Sequence, residues 1–459
     1  MNAVQLPNLE ETRKQFIGRL LLLSVPIMLQ NLLVSSVSFI DTVMIGMVGE
    51  SAIAAVGLGN QMFFLITVFL FGISSGAAIF IAQYWGAQDH RSMHKVIGIA
   101  LVLSIAGALV SSFVSMVFPG HIMRIFTDDP TVVGLGSEYL VTVAISYLFT
   151  AVVMVYSIAL RSTGDAKTPL YISFLSLSLN VLLNYLLILG KWGFPRLEVK
   201  GAAIATVIAR GIEVVLLLLL VYRTKRPVAA SLKSMLSFNK VLVKKYFVTC
   251  LPVILNEMFW SLGMATYKIA YARMGVQVIA TVNVTESIQN IFFVILMGIT
   301  HASAIMIGNR IGENRIPIAK LYASRLLLIA FLAGGLLGAL LALSAPWLAI
   351  PFNLSPTVAH MTTLSLISLG ILIPVKAYNM VLVVGVLRAG GDTRFSMFAE
   401  LAGVWFIGVP CAFIGALVLK MPIYHLYLFV GLEEVFKFVV GIVRIRSGKW
   451  INRLTETAA

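Results

Sequence analysis

Apolar runs of about 20 residues or more, divided by short polar breaks, recur along the whole chain. About 20 apolar residues of helix cross the hydrocarbon core of a bilayer. Reading between the breaks therefore predicts twelve membrane-spanning helices, near residues 17–46, 52–85, 96–119, 131–160, 170–190, 200–222, 246–272, 277–307, 322–350, 357–387, 396–418 and 423–443. Several exceed 25 residues, so tilting or extension beyond the bilayer is expected. Residues 1–19 are polar and the first apolar stretch continues past Gly46. That is far longer than the apolar core of a cleaved signal peptide, so the N-terminus is expected to stay and to face the cytoplasm.

Composition agrees with the pattern. Of 459 residues, 59% are hydrophobic and 12% charged, against about 25% charged in a soluble domain. The fold class is all-α and polytopic. Cys250 and Cys411 both sit in apolar runs, which suits neither a disulfide framework nor a zinc site. His90 and His94 have i, i+4 spacing but lie in a short charged connector and read as a solvated loop.

The net charge of +15 raises the question of nucleic acid, and the positions of the basic residues answer it. With the N-terminus inside, twenty-four of the 34 fall on cytoplasmic segments, including Arg161, Arg388 and seven from Arg223 to Lys245. Six fall on outer connectors, and Arg210, Lys268, Lys376 and Lys437 fall within spans. This asymmetry follows the positive-inside rule, and no nucleic-acid partner is needed to explain it.

The chain also repeats. At an offset of 226, Pro26 meets Pro252, Ile53-Ala54 meets Ile279-Ala280, Gly72-Ile73 meets Gly298-Ile299, and Gly86 meets Gly312. One residue further, Leu160-Arg161 and Gly164-Asp165 meet Leu387-Arg388 and Gly391-Asp392. The halves, 1–229 and 230–459, each hold six helices and are joined by a basic connector at about 223–245. An even number makes them parallel repeats, an arrangement of secondary transporters whose site lies near the midplane.

Polar residues inside spans need a partner or a wet cavity. On the first span, Gln30, Asn31, Ser38 and Asp41 share a helical face. Asp41 reads either as a backbone partner near the outer end or as a carboxylate that binds a proton or Na+. Ser176, Asn180 and Asn184 share a face of the fifth span, and Thr206 lies on the sixth. These suit an oxygen shell for a cation held by Asp41, and equally suit interhelical hydrogen bonding. In the second half, Asn256, Glu257, Ser261 and Lys268 share a face of the seventh span, and Asn283, Glu286 and Asn290 a face of the eighth. Lys376, Asn379 and Glu400 follow. The acids here read either as functional or as structural partners of the lysines. Arg210 with Glu213, and Lys437 with Glu433 or Glu434, read as structural pairs. No nucleotide-binding signature occurs, and no nucleophile–base pair or metal cluster supports an enzyme.

Phe39-Ile40-Asp41-Thr42 with Gly46, the run Gly201-Ala202-Ala203-Ile204-Ala205-Thr206 and the paired LR-x-x-GD connectors resemble the multidrug and toxic compound extrusion (MATE) transporters over about residues 16–445. The resemblance implies an N-lobe and a C-lobe forming a V around a central cavity, and export of cationic, aromatic compounds in exchange for Na+ or H+. It implies that the essential first-helix acid is Asp41 and the fifth-helix polar pair Asn180 and Asn184, where some members carry an acid at the second position. The seventh-helix acid corresponds to Glu257, and an eighth-helix acid of some members to Glu286. Where some have an acid on the tenth helix, this chain has Ala377 beside Lys376, so a C-lobe ion site is expected on the seventh and eighth.

The expected protein is an inner-membrane antiporter, monomeric, with both termini cytoplasmic. Its coupling ion, Na+ or H+, is placed at Asp41, Asn180, Asn184 and Thr206, with Na+ itself at the first three. Glu257, Glu286, Asn256 and Asn283 are expected to meet substrate or a second ion. Its partners are small organic cations and lipid, with no other cofactor. The rival reading is a lipid-linked saccharide flippase, kept alive by Lys268 and Lys376.

Overall fold

A computed structural model describes residues 13–352 and 354–455. The extreme ends of the expected cytoplasmic termini, 1–12 and 456–459, lie outside the described residues. The first half comprises α1 (Arg13–Gly46), α2 (Glu50–Gly86), α3 (His90–Val117), the short α4 (Pro119–Arg124), α5 (Pro130–Val143), α6 (Ile145–Ser162), α7 (Lys167–Leu189) and α8 (Glu198–Arg223). One helical turn, α9 (Leu232–Met235), lies in the connector. The second half comprises α10 (Lys240–Ala272), α11 (Val276–Gly312), α12 (Ile316–Leu348), α13 (Pro356–Met380), α14 (Thr393–Ala402), α15 (Val409–Phe413), α16 (Ile423–Val430) and α17 (Leu432–Ser447). π-helical turns at Val381–Arg388, Gly403–Gly408 and Ile414–Val418 extend α13, join α14 to α15 and continue α15.

Among the described residues, eleven helices are long and apolar enough to cross a membrane. The expected span at 423–443 is the exception. It is interrupted at Gly431, where a Cβ would collide with Leu372 of α13, and α17 opens on Glu433, Glu434 and Lys437. The expected span at 131–160 is interrupted at Ala144, whose carbonyl accepts a hydrogen bond from the Ser112 hydroxyl of α3 (2.7 Å).

The repeat is visible in the helices themselves. α2 and α11 are each 37 residues long, and α1 and α10 carry Pro26 and Pro252 inside them. The chain forms two compact units, one of residues up to Met28, Ala82–Gln88 and Leu255 onward, the other of Leu29–Ile81 and Asp89–Ile254. The division does not fall in the basic connector. It passes through α1, α2 and α10, because their ends pack with the opposite half of the sequence. In the first unit Gly298 of α11 lies against Ser24 and Met28 of α1; in the second, the repeat-equivalent Gly72 of α2 lies against Ile254 of α10.

Gly86 and Gly312 make a close crossing in the first unit, each against a backbone carbonyl of the other helix, Asn309 and Gln83 respectively. Helices approach this closely only where a side chain is absent. Gly312→Ala is expected to destabilise the protein by about 1–3 kcal/mol, since neither backbone can yield to the new methyl. The midpoint of thermal unfolding in detergent reads this, and an unchanged midpoint would contradict the crossing.

The LR-x-x-GD connectors are helix C-caps. Gly164 and Gly391 have φ of +95° and +81°, and Asp165 N–H and Asp392 N–H return to the carbonyls of Leu160 and Leu387 (both 2.9 Å). This six-to-one bond with a positive-φ glycine is the Schellman arrangement. The Asp165 side chain then accepts from Thr168 N–H and hydroxyl (3.1 and 2.7 Å), whereas Asp392 takes Arg444 in two bonds (2.6 and 3.0 Å).

Candidate functional site

In the first half, Asp41 lies five residues before the end of α1. Its Oδ1 accepts a hydrogen bond from Asn184 Nδ2 of α7 at 2.6 Å, and the same nitrogen donates to Asn180 Oδ1 at 3.3 Å. Both asparagines are buried. Asn184 Oδ1 is also buried and has no hydrogen-bond partner. Among the described residues no cation stands within ion-pairing distance of Asp41, although Glu213, also in this half, is bound by Arg210 at 2.7 Å.

This arrangement has two chemical states. As it stands, one amide nitrogen supplies the positive pole between a carboxylate and a carbonyl. Rotation of the Asn184 amide by half a turn brings its unpaired oxygen to the same point. Three converging oxygens repel one another unless a cation sits among them, and hard cations take oxygen ligands. Alternatively, a proton on Asp41 supplies the donor. The donor set therefore suits Na+ or H+.

Thr206 is not joined to this group: its hydroxyl donates to Ala202 O of its own helix (3.0 Å). In a helix interior this local bond is always available to threonine. Gln30 and Ser176, placed on the same helical faces as Asp41 and Asn184, belong to a separate network. Gln30 donates to Ser173 Oγ (2.8 Å) and accepts from Arg161 Nη2 (2.5 Å), while Ser173 and Ser176 donate to the buried Glu213 (2.9 and 3.4 Å). Ser38 donates to Val34 O.

The second half repeats that network with charge added. Arg388 donates to Glu257 (2.6 Å) and Glu400 (3.4 Å), and Asn256 donates to Glu400 (2.7 Å). Gln30, Asn31, Arg161 and Ser173 are the repeat-equivalents of Asn256, Glu257, Arg388 and Glu400. The expectation that Arg161 and Arg388 are loop residues fixing orientation is corrected here: Arg388 is 2% exposed, and both reach back into their helix bundles. A largely enclosed pair of acids demands a cation, and an arginine at a helix end is long enough to supply one.

Glu257 and Glu286, expected to build one ion site, are not brought together. Glu257 has Arg388 as its partner, and Glu286 has Lys268 at 2.7 Å across the α10–α11 hairpin. Lys268 thus neutralises Glu286, not Glu257 on its own helix. Asn256 is buried against Glu400, while Asn283 is exposed. Lys376 stands over the Phe293 ring at 6.0 Å, and Asn379 donates to Glu434 (2.7 Å). Lys437 lies 3.7 and 3.0 Å from Glu433 and Glu434. At the repeat-equivalent of Asp41 stands Tyr267, whose hydroxyl donates to Glu433 (2.6 Å). Among the described residues, an acid bonded to a side-chain amide at this position is a feature of the first half alone. His94 bonds the Pro227 carbonyl (2.8 Å).

The MatE family model matches residues 26–186 and 252–414, two segments whose starts are 226 apart (252 − 26). Among curated proteins, the chain is 24% identical to the "Probable multidrug resistance protein NorM" of Thermotoga maritima, covering 97% of this chain and 95% of that protein. It is 26% identical to the "Uncharacterized transporter YisQ" of Bacillus subtilis (strain 168), over 90% of each. Among solved structures, one described as the outward-facing conformation of a multidrug resistance MATE family transporter of the MOP superfamily matches with a TM-score of 0.86. That match is at 20% identity and covers 98% of this chain and 100% of the other.

Proposed function

The chain belongs to the MatE family, and from that premise we propose that it is a multidrug antiporter of the bacterial inner membrane. It exports aromatic organic cations in exchange for Na+ or H+ by alternating access. The observation that carries this reading is Asp41: a carboxylate inside an apolar helix, held by the side-chain amide of Asn184 and, among the described residues, by no cation. A charge so placed is costly, and it is kept where it exchanges a partner during the working cycle. When Na+ or a proton neutralises Asp41, the bond from Asn184 is released or reversed, and α1 and α7 lose the contact that sets their relative position. Substrate affinity then falls because the lobe that held it has changed shape, so ion entry drives drug exit.

The flippase alternative asks for free basic groups to hold a pyrophosphate. Lys268 is taken by Glu286, which favours the antiporter.

The test is ethidium efflux from proteoliposomes under an imposed Na+ gradient at equal pH, or under a pH gradient without Na+. One of the two gradients is expected to drive efflux. If neither does, the reading fails.

A further inference from the structure

The connector between the halves, from Arg223 to Lys245, carries seven basic residues and no acidic one. It does not hang in water. The His94 ring of α3 donates to the Pro227 carbonyl (2.8 Å), Tyr222 of α8 donates to Ala230 O (2.8 Å), and Val228 and Met235 are buried. Yet the single turn within it, α9, and the residue that follows present Leu232 and Leu236 outward, 75% and 55% exposed, with Lys233 exposed between them. We propose that this connector is a membrane anchor that binds anionic phospholipid, its leucines among the acyl chains and its lysines on the phosphates.

Gly98 of α3 fixes the level, because a Cβ there would meet the Met235 carbonyl of α9. From Gly98 to the end of α3 at Val117 is 19 residues (117 − 98), about 29 Å of helix and close to the thickness of the hydrocarbon core. The turn α9 therefore lies where acyl chains give way to headgroups. Leu109 and Met116, 11 and 18 residues beyond Gly98, return to nearly its angle on the helix and are 52% and 39% exposed. Val102, Val110 and Phe113 are exposed beside them. Such an apolar face suits acyl chains, and α9 covers its end.

Orientation accounts for basic residues on this side, but not for leucines turned outward beside them. Apolar side chains at the boundary with lysines alongside make an interfacial anchor, and clustered basic residues next to a span recognise anionic lipid. Arg223, Lys225, Lys233, Lys240 and Lys244 are all exposed, while Arg226 turns back to Asp165 (3.4 Å). A zwitterionic surface offers the leucines the same acyl chains but offers the lysines no net charge, so the connector distinguishes the two kinds of lipid. The anchor does not depend on what the protein transports.

Hydrogen exchange of the full chain in nanodiscs tests this, comparing phosphatidylcholine alone with an equimolar mixture of phosphatidylcholine and phosphatidylglycerol. One helical turn is marginal in water, so the amides of residues 229–239 report whether lipid holds it. They are expected to exchange roughly tenfold slower in the mixture, and about 1 M salt, which shortens the screening length to about 3 Å, should remove the difference. K233Q/K240Q/K244Q should lose the difference at low salt too. K320Q/R394Q/R446Q removes the same charge from exposed positions on the same side of the membrane and should keep it. L232S/L236S should speed exchange in both lipids. Every substituted position is exposed, so each variant leaves the packing intact. Equal exchange in the two lipids, or equal loss in the two triple variants, would overturn the proposal.

Discussion

Asp41→Asn is expected to lower ion-driven efflux about 100-fold or more while leaving the protein folded. Asparagine matches aspartate in shape, and its carbonyl can still accept from Asn184 Nδ2, so the bond of 2.6 Å keeps its geometry. What the substitution removes is the charge that a proton or Na+ neutralises. A permanently neutral group cannot report the arrival of an ion, so a ligand that no longer distinguishes two states shifts nothing. Ethidium binding at equilibrium and the unfolding midpoint should stay close to those of the unaltered protein. Efflux under the gradient that drives it measures the loss. Retention of full ion-driven flux would falsify the role given to Asp41.

The largest stability effect is expected at Arg388. One guanidinium, 2% exposed, serves Glu257 at 2.6 Å and Glu400 at 3.4 Å. Arg388→Met leaves two enclosed acids with no cation between them, a change that costs about 3–5 kcal/mol where a buried pair loses one member. The unfolding midpoint is expected to drop by about 3–5 °C. Arg388→Lys should recover only part, because an ammonium lacks the planar fork that reaches two carboxylates at once. Adding E257Q and E400Q to Arg388→Met should restore most of the midpoint, since the stranded charges are then gone. The repeat-equivalent change, Arg161→Met, should cost less, about 1–3 kcal/mol, because its partner is the neutral Gln30. Equal losses at the two positions would show that the acids add nothing.

These two sites differ in how far they could be read from sequence. Eleven of the twelve expected spans, the repeat and the Asp41–Asn180–Asn184 constellation were legible because helical periodicity and the length of a bilayer leave few alternatives. Periodicity assigns a residue to a face but says little about which neighbour that face meets at a given height. Gln30 and Asp41 share a face of α1, yet lie about 16 Å apart along it and join different networks. The role of Arg388 was hidden because a basic residue at a helix end has the same appearance whether it turns to water or back into the bundle. One signal was available: Arg161 and Arg388 recur at equivalent positions of the repeat, and orientation alone does not require such exact placement of charge. The pairing of Lys268 with Glu286 depends on how two helices fold against each other at Ala272–Val276, which no single-helix pattern encodes.

The division of α1 between two units bears on the order in which the protein can be made. Residues 13–28 leave the ribosome well before their partners: Gly298, against which Ser24 and Met28 pack, is 270 residues beyond Met28. At translation rates of about 5–20 residues per second this is a wait of roughly 15–50 s. The unit built from Leu29–Ile81 and Asp89–Ile254 can close within that interval. The first half of α1 therefore spends its early life without the partners it will finally have, a delay that an insertion chaperone would cover.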